Sequence, residues 1–147
     1  MREILFRGKR KDNGKFVEGY YRYDDIPPFT NEPRTEIVRG GAHWWGYSMI
    51  PYEVVPETVG QYTGLTDTNG TKIFEGDIVK HHQTLWGEDV SDIGLVLWCE
   101  RTCKFYRTSK CDTVGSFEIW KETTERYEVI GNIHDNPELL KGVTSDA

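Results

Sequence analysis

No run of apolar residues in this chain approaches the roughly 20 that cross a bilayer as a helix, so a spanning helix is not expected. The opening Met1-Arg2-Glu3-Ile4-Leu5-Phe6-Arg7 carries charge too early for a secretory signal and has no apolar core or cleavage site. The expectation is a protein that stays in the cytosol where it is made. Cysteine is scarce. Cys99, Cys103 and Cys111 form an odd set, which argues for free thiols over a disulfide framework. With His81 and His82 they suggest a metal site on paper. Yet no C-x2-C pair is present, and adjacent histidines on a strand point to opposite faces. No metal or other cofactor is expected. Basic excess is missing too: 24 acids against 18 bases leave a net charge of −6, which weighs against a broad phosphate-binding face. No window of helical length sustains a 3.6-residue apolar period, and there is no internal repeat or low-complexity tract.

What the chain does contain is strand and turn chemistry. Its 147 residues fit one domain, or one domain and a small lobe. That is long enough to bury a core without disulfides or metal. The organising stretch runs from Thr58 through Asp67-Thr68-Asn69-Gly70 to Val79. Its first arm alternates Val59, Gln61 and Thr63 with Gly60, Tyr62 and Gly64. Asn69 and Gly70 offer the positive φ that a hairpin turn demands. Ile73 and Phe74 restart the apolar pattern, Gly76 and Asp77 punctuate it, and Ile78-Val79 continue it.

The remaining elements follow from similar signals. Ile4 to Arg7 and Phe16 to Tyr23 flank an Asn13-Gly14 turn and predict an N-terminal hairpin. Asp24 to Arg34 holds Pro27, Pro28 and Pro33 and reads as a loop. Thr35 to Arg39 is a short strand closed by Gly40-Gly41. Pro51 and Pro56 bracket a segment that starts or edges a sheet. Lys80 to Asp92 reads as a long polar excursion between strands. Ile93 to Trp98, continuously apolar, predicts the most buried strand, covered on both faces. Cys103 to Arg107, Val114 to Trp120 and Arg126 to Ile133 are further strands, with Cys111 to Thr113 in a turn. Asn136, Pro137, Glu138 and Gly142 predict a short capped helical turn and then a tail. The fold class expected is mainly β. It comprises an N-terminal β lobe with its Pro-rich loop over 1–50, a small barrel over 51–141 and a tail over 142–147.

Three ordered motifs resemble one family. Met1 to Lys9 with Asn13-Gly14-Lys15 and Glu18-Gly19-Tyr20 resembles the opening of the YopX family, small proteins encoded largely by phages and prophages. Pro56 to Leu65, Asp67, Asn69-Gly70 and Ile73 to Val79 resemble its central motif. Val129 to Leu140 resembles its close, with His134 where an aromatic such as Tyr is expected. Asp24 to Met49 and Lys80 to Glu125 match no pattern. The resemblance implies an SH3-like barrel and self-association, and it brings no catalytic residues.

The candidate chemistry is thin. Glu75 and Asp77 are two apart and would share a strand face, as a metal or acid–base pair needs. Turn punctuation by Gly76-Asp77 is the simpler account. Gly60 and Gly64 lack the Gly-Lys-Ser/Thr ending of a phosphate loop. No serine has a nucleophile-elbow context, and no histidine has an assignable acid partner. His43-Trp44-Trp45-Gly46-Tyr47 reads as core and interface packing, since aromatics bring the most buried area. Lys9-Arg10-Lys11 reads as a solvated turn guarding an edge strand. Trp44, Trp45, Tyr47, Lys9, Arg10 and Lys11 together make the candidate interaction surface. The function expected is a non-enzymatic accessory protein that acts by protein contact. Its partners would be further copies of itself and a host protein. A barrel binding nucleic acid or a small ligand, and a metal-dependent enzyme, are the alternatives.

Overall fold

The computed structural model describes residues 3–25, 32–108, 116–119 and 126–141, without the side chains of His43, Ser116 and Phe117. The chain divides into two compact units, Met1–Tyr62 and Thr63–Ala147. The described strands are all antiparallel, and the chain is mainly β. No described helix is long and apolar enough to cross a membrane.

In the first unit β1 (Phe6–Lys9), β2 (Phe16–Asp24), β3 (Arg34–His43) and β4 (Gly46–Glu53) lie in the order β4-β3-β2-β1. The opening residues of β5 (Gly60–Thr66) pair with β1 on its other side. The β1–β2 turn forms where Asn13-Gly14 predicts it. Only the glycine takes the left-handed conformation, at φ +69°, while the Asn13 side chain accepts a hydrogen bond from the Lys15 amide at 2.9 Å. The core gathers Val17, Ile37 and Val54, with Phe6, Tyr52 and Val59 packed against them.

Strand β3 does not close at Gly40-Gly41, as the glycines suggest, but runs on to His43. The reason lies across the sheet. A Cβ at Gly40 would fall 1.7 Å from the Tyr47 hydroxyl, so the missing side chain is the seat of the Tyr47 ring. Pro51 sits within β4, the outer strand of this sheet, where a ladder can spare an N–H.

In the second unit β5 turns back through β6 (Lys72–Phe74). A five-stranded sheet follows in the order β10-β9-β8-β7-β11. Its members are β7 (Asp77–Leu85), β8 (Glu88–Cys99), β9 (Lys104–Thr108), β10 (Ser116–Glu118) and β11 (Tyr127–Asn132). The Asp67 turn is tied on several sides. One carboxylate oxygen accepts from the Asn69 and Thr71 amides, and the other accepts from the Val129 amide on β11. The core is Ile73, Val79, Val96 and Tyr127, with Ile119 and Val129 against it.

Three expectations are corrected here, and one is not met among the described residues. Lys80 to Asp92 is not an excursion. Strands β7 and β8 continue as a paired ribbon from Ile78–Leu95 out to Leu85–Glu88. Trp86 and Gly87, both at positive φ, supply the two-residue turn. The ribbon's outer half is polar because it has little core to face. Ile93 to Trp98 is not covered on both faces: Gly94 and Val96 are buried, whereas Ile93, Leu95 and Leu97 are half-buried. The SH3-like closure is not found among the described residues, where the five-stranded sheet ends on β10 and β11, and β10 is only three residues long. Finally, Pro137–Leu140 is one 3-10 turn in which Asn136 makes no side-chain cap. The local turn is held by Asn132, whose side-chain oxygen accepts from the His134 and Asp135 amides. Cys111 to Thr113, Trp120, the Pro27-Pro28 segment, Gly142 and the tail lie outside the described residues.

Candidate functional site

In the first unit, His43 pairs with Gly46 and leaves Trp44-Trp45 as a two-residue hairpin tip. Trp44 is 94% exposed and Trp45 67%, and their rings meet edge to face at 5.7 Å. The core part of the expected core and interface packing is therefore corrected. A two-residue turn has no neighbouring strand beyond it, so its side chains stand in solvent. The register extends the apolar surface down the hairpin. Tyr20, Tyr47 and Met49 share one sheet face and Tyr21, Tyr23 and Ile50 the other, all exposed.

The basic run lies elsewhere. Arg10 Nε donates to Asp12 Oδ1 at 2.9 Å, and its guanidinium sits 4.5 Å from the Tyr52 ring centre. Lys11 Nζ donates to Glu53 Oε1 at 2.7 Å. The Lys9 amide donates to Thr58 Oγ1. The hydrogen bond from Arg10 holds the Asp12 carboxyl below the usual carboxylate range. Local acids thus balance Arg10 and Lys11, which turns this patch away from phosphate. Because Glu53 ends β4 and Gly46 begins it, the two halves of the candidate surface are separated by about 23 Å of strand. The structure does not bring them together.

In the second unit, Glu75 and Asp77 do not share a strand face. Gly76 between them turns at φ +90°, and buried Asp77 accepts the Phe74 amide at 2.8 Å. This is turn locking. Among the described residues no group of three or more His, Cys, Asp or Glu side chains is placed to hold a metal. His81 and His82 do face opposite ways. His82 lies 3.4 Å from Glu128 at the surface, while His81 packs on Tyr127.

Sequence reading passed over the most heavily bonded side chain of this unit. Arg107 is 3% exposed. Its Nη1 donates to Asp92 Oδ2 at 2.7 Å, its Nε donates to the Tyr127 hydroxyl at 3.0 Å, and its Nη2 lies 3.4 Å from His81 Nδ1. Burial, then the charges of Arg107 and Arg126, press the His81 pKa below the ordinary imidazole value, with Asp92 opposing them. Such a cluster can fix strand register and store a pH response. A signal was present: Arg107 is two residues from Phe105 and so shares its inward face. Nearby, a groove of about 580 Å³ is lined by His82, Gln83, Thr84, Asp89, Val90, Ser91 and Arg126. Trp86 at the ribbon tip is fully exposed.

The family model for YopX protein matches residues 5–141. Among solved structures, the chain is similar to the crystal structure of protein EF1440 from Enterococcus faecalis, with 22% identity and a TM-score of 0.59. The likeness covers 95% of this chain and 99% of that one, and at this identity it is a likeness of fold. Comparison with curated protein sequences finds no match. The matched span runs from just before β1 through the closing 3-10 turn, and the chain belongs to the YopX protein family.

Proposed function

We propose that this protein is a non-enzymatic accessory protein of phage origin that works in the host cytosol through protein contact, self-association included. The aromatic hairpin of the first unit is its contact surface. The observation that carries this reading is the Trp44-Trp45 tip, with Trp44 almost wholly and Trp45 mostly in solvent, continued by exposed Tyr47, Met49 and Ile50. Large aromatics left in water are unfavourable for an isolated chain and favourable once a partner covers them. Tryptophan and tyrosine are also the side chains that dominate binding hot spots. At about 25 cal/mol per Å², covering one tryptophan contributes several kcal/mol before association costs are subtracted.

Sedimentation velocity across micromolar concentrations tests the reading. The protein should associate as concentration rises, and the double variant Trp44→Ala/Trp45→Ala should shift to monomer with its circular dichroism unchanged. A monomer at every concentration would remove self-association. An assembly indifferent to the double variant would remove this tip as its contact.

A further inference from the structure

The β8–β9 turn holds two thiols that neither the family assignment nor the aromatic surface uses. Cys99 ends β8 and pairs with Lys104, so only Glu100 to Cys103 bridge the strands. Cys99 therefore flanks a four-residue turn whose last residue is Cys103. Both are free, with Cys99 half-buried and Cys103 exposed. Cys103 adopts φ +52°, in the left-handed region that few residues other than glycine, asparagine and aspartate enter. That conformation directs its sulfur back over the turn, where Sγ donates to the Glu100 carbonyl at 3.4 Å. Glu100 directly follows Cys99 in the chain, so this bond ties the Cys103 side chain back across the turn toward the end of β8.

At the other end of the turn, the Thr102 hydroxyl, then the Thr102 and Arg101 amides, act as donors on Cys99, and the Arg101 charge adds to them, against a smaller cost of burial. These donors favour the thiolate and press the Cys99 pKa below the ordinary thiol value. A thiolate that is accessible, stabilised by donors and adjacent to a second thiol is the arrangement that disulfide exchange uses.

We propose that the β8–β9 turn is a thiol–disulfide exchange site, with Cys99 as nucleophile, Cys103 as resolving thiol and a small disulfide as co-substrate. In the first step Cys99 Sγ attacks one sulfur of the small disulfide. One thiolate leaves, and a mixed disulfide remains on Cys99. Cys103 then loses its proton to solvent and attacks Cys99 Sγ, expelling the second thiolate. The protein gives up two thiol protons and two electrons, a Cys99–Cys103 bond forms, and the co-substrate is reduced to two thiols. The cross-link staples the β8–β9 turn.

The test uses the full chain carrying Cys111→Ala, so that only the two turn thiols remain, with 5,5′-dithiobis(2-nitrobenzoate) as the probe. One equivalent should release two thionitrobenzoate ions per chain and leave a protein lighter by two hydrogens, with no adduct retained. Adding Cys103→Ala should trap one adduct on Cys99, and adding Cys99→Ala should leave Cys103 reacting several-fold more slowly at neutral pH. Thr102→Val should move the pH dependence of the fast reaction upward without altering circular dichroism. If the parent retains adducts on both sulfurs, or if Cys99 and Cys103 react alone at equal rates with equal pH dependence, the proposal fails. Mass spectrometry of the same samples distinguishes an intramolecular bond from cross-linked chains, and the latter would also overturn it.

Discussion

The core of the first unit is built from Val17, Ile37 and Val54, whereas Ile73, Val79, Val96 and Tyr127 in the second unit adjoin a buried arginine and its acid. Both units hold an arginine–carboxylate pair across strands, which makes the contrast sharper. In the first, Glu36 is buried but its partner Arg22 is half in water. In the second, Asp92 and Arg107 are both buried, and the tyrosine hydroxyl of the core completes the network. A pair with one end in solvent contributes little, because water competes for it. A pair with neither end in solvent contributes mainly through what its loss leaves behind, an uncompensated charge in a low-dielectric interior.

The largest expected effect therefore comes from Asp92→Ala, which strands the Arg107 guanidinium. Denaturant unfolding should show a loss of about 3–5 kcal/mol. The double variant Asp92→Leu/Arg107→Met should recover most of it, since apolar replacement of a whole buried pair is often neutral. A double variant no better than the single one would show that the pair itself, and not the orphaned charge, carries the stability.

Next comes the apolar interior. Ile37 is fully buried, and Ile37→Ala should cost about 3 kcal/mol through lost transfer energy and a residual cavity. Ile37→Val should cost about 1 kcal/mol. The solvent-facing pair should respond least of these. Glu36→Gln, which leaves a half-exposed Arg22 to water, should cost about 1 kcal/mol or less, and the loss should shrink further in high salt. A loss as large as that of Asp92→Ala would erase the distinction between the two pairs.

How much of this was legible in the sequence depends on which residues carried the signal. Asn13-Gly14 and Asn69-Gly70 announced their turns because glycine and asparagine have a local preference that needs no tertiary context. Trp44-Trp45 makes a tighter turn with neither residue, and Trp86-Gly87 makes one with glycine only at its second position. There the pairing of the flanking strands sets the turn, and periodicity in a polar ribbon is too weak to reveal it. Gly40-Gly41 looked like a stop because nothing in the sequence says that Tyr47 will lie on Gly40. Arg107 looked like surface because a lone charged residue defaults to solvent, and its acid, hydroxyl and imidazole partners come from three other strands. The candidate surface was legible as residue types. The separation of its two halves along β4 was not.

The smallest effect is a pH response confined to the second unit's polar cluster. His81 has a folded-state pKa below its ordinary value, because burial and the positive charges of Arg107 and Arg126 disfavour imidazolium. The unfolded chain therefore binds a proton at a higher pH than the folded one does. Between the ordinary imidazole pKa and the lowered folded value, the unfolded state holds more protons, so stability must fall as pH falls. Above that window His81 is neutral in both states and contributes no slope; below it the loss is complete. His81→Phe keeps a ring against Tyr127 and removes the proton site. Its unfolding free energy should lose this part of the pH dependence and leave the carboxylate-driven decline at lower pH in place. An unchanged slope through the imidazole range would mean that another group drives it, with His82 and its neighbour Glu128 the next pair to substitute.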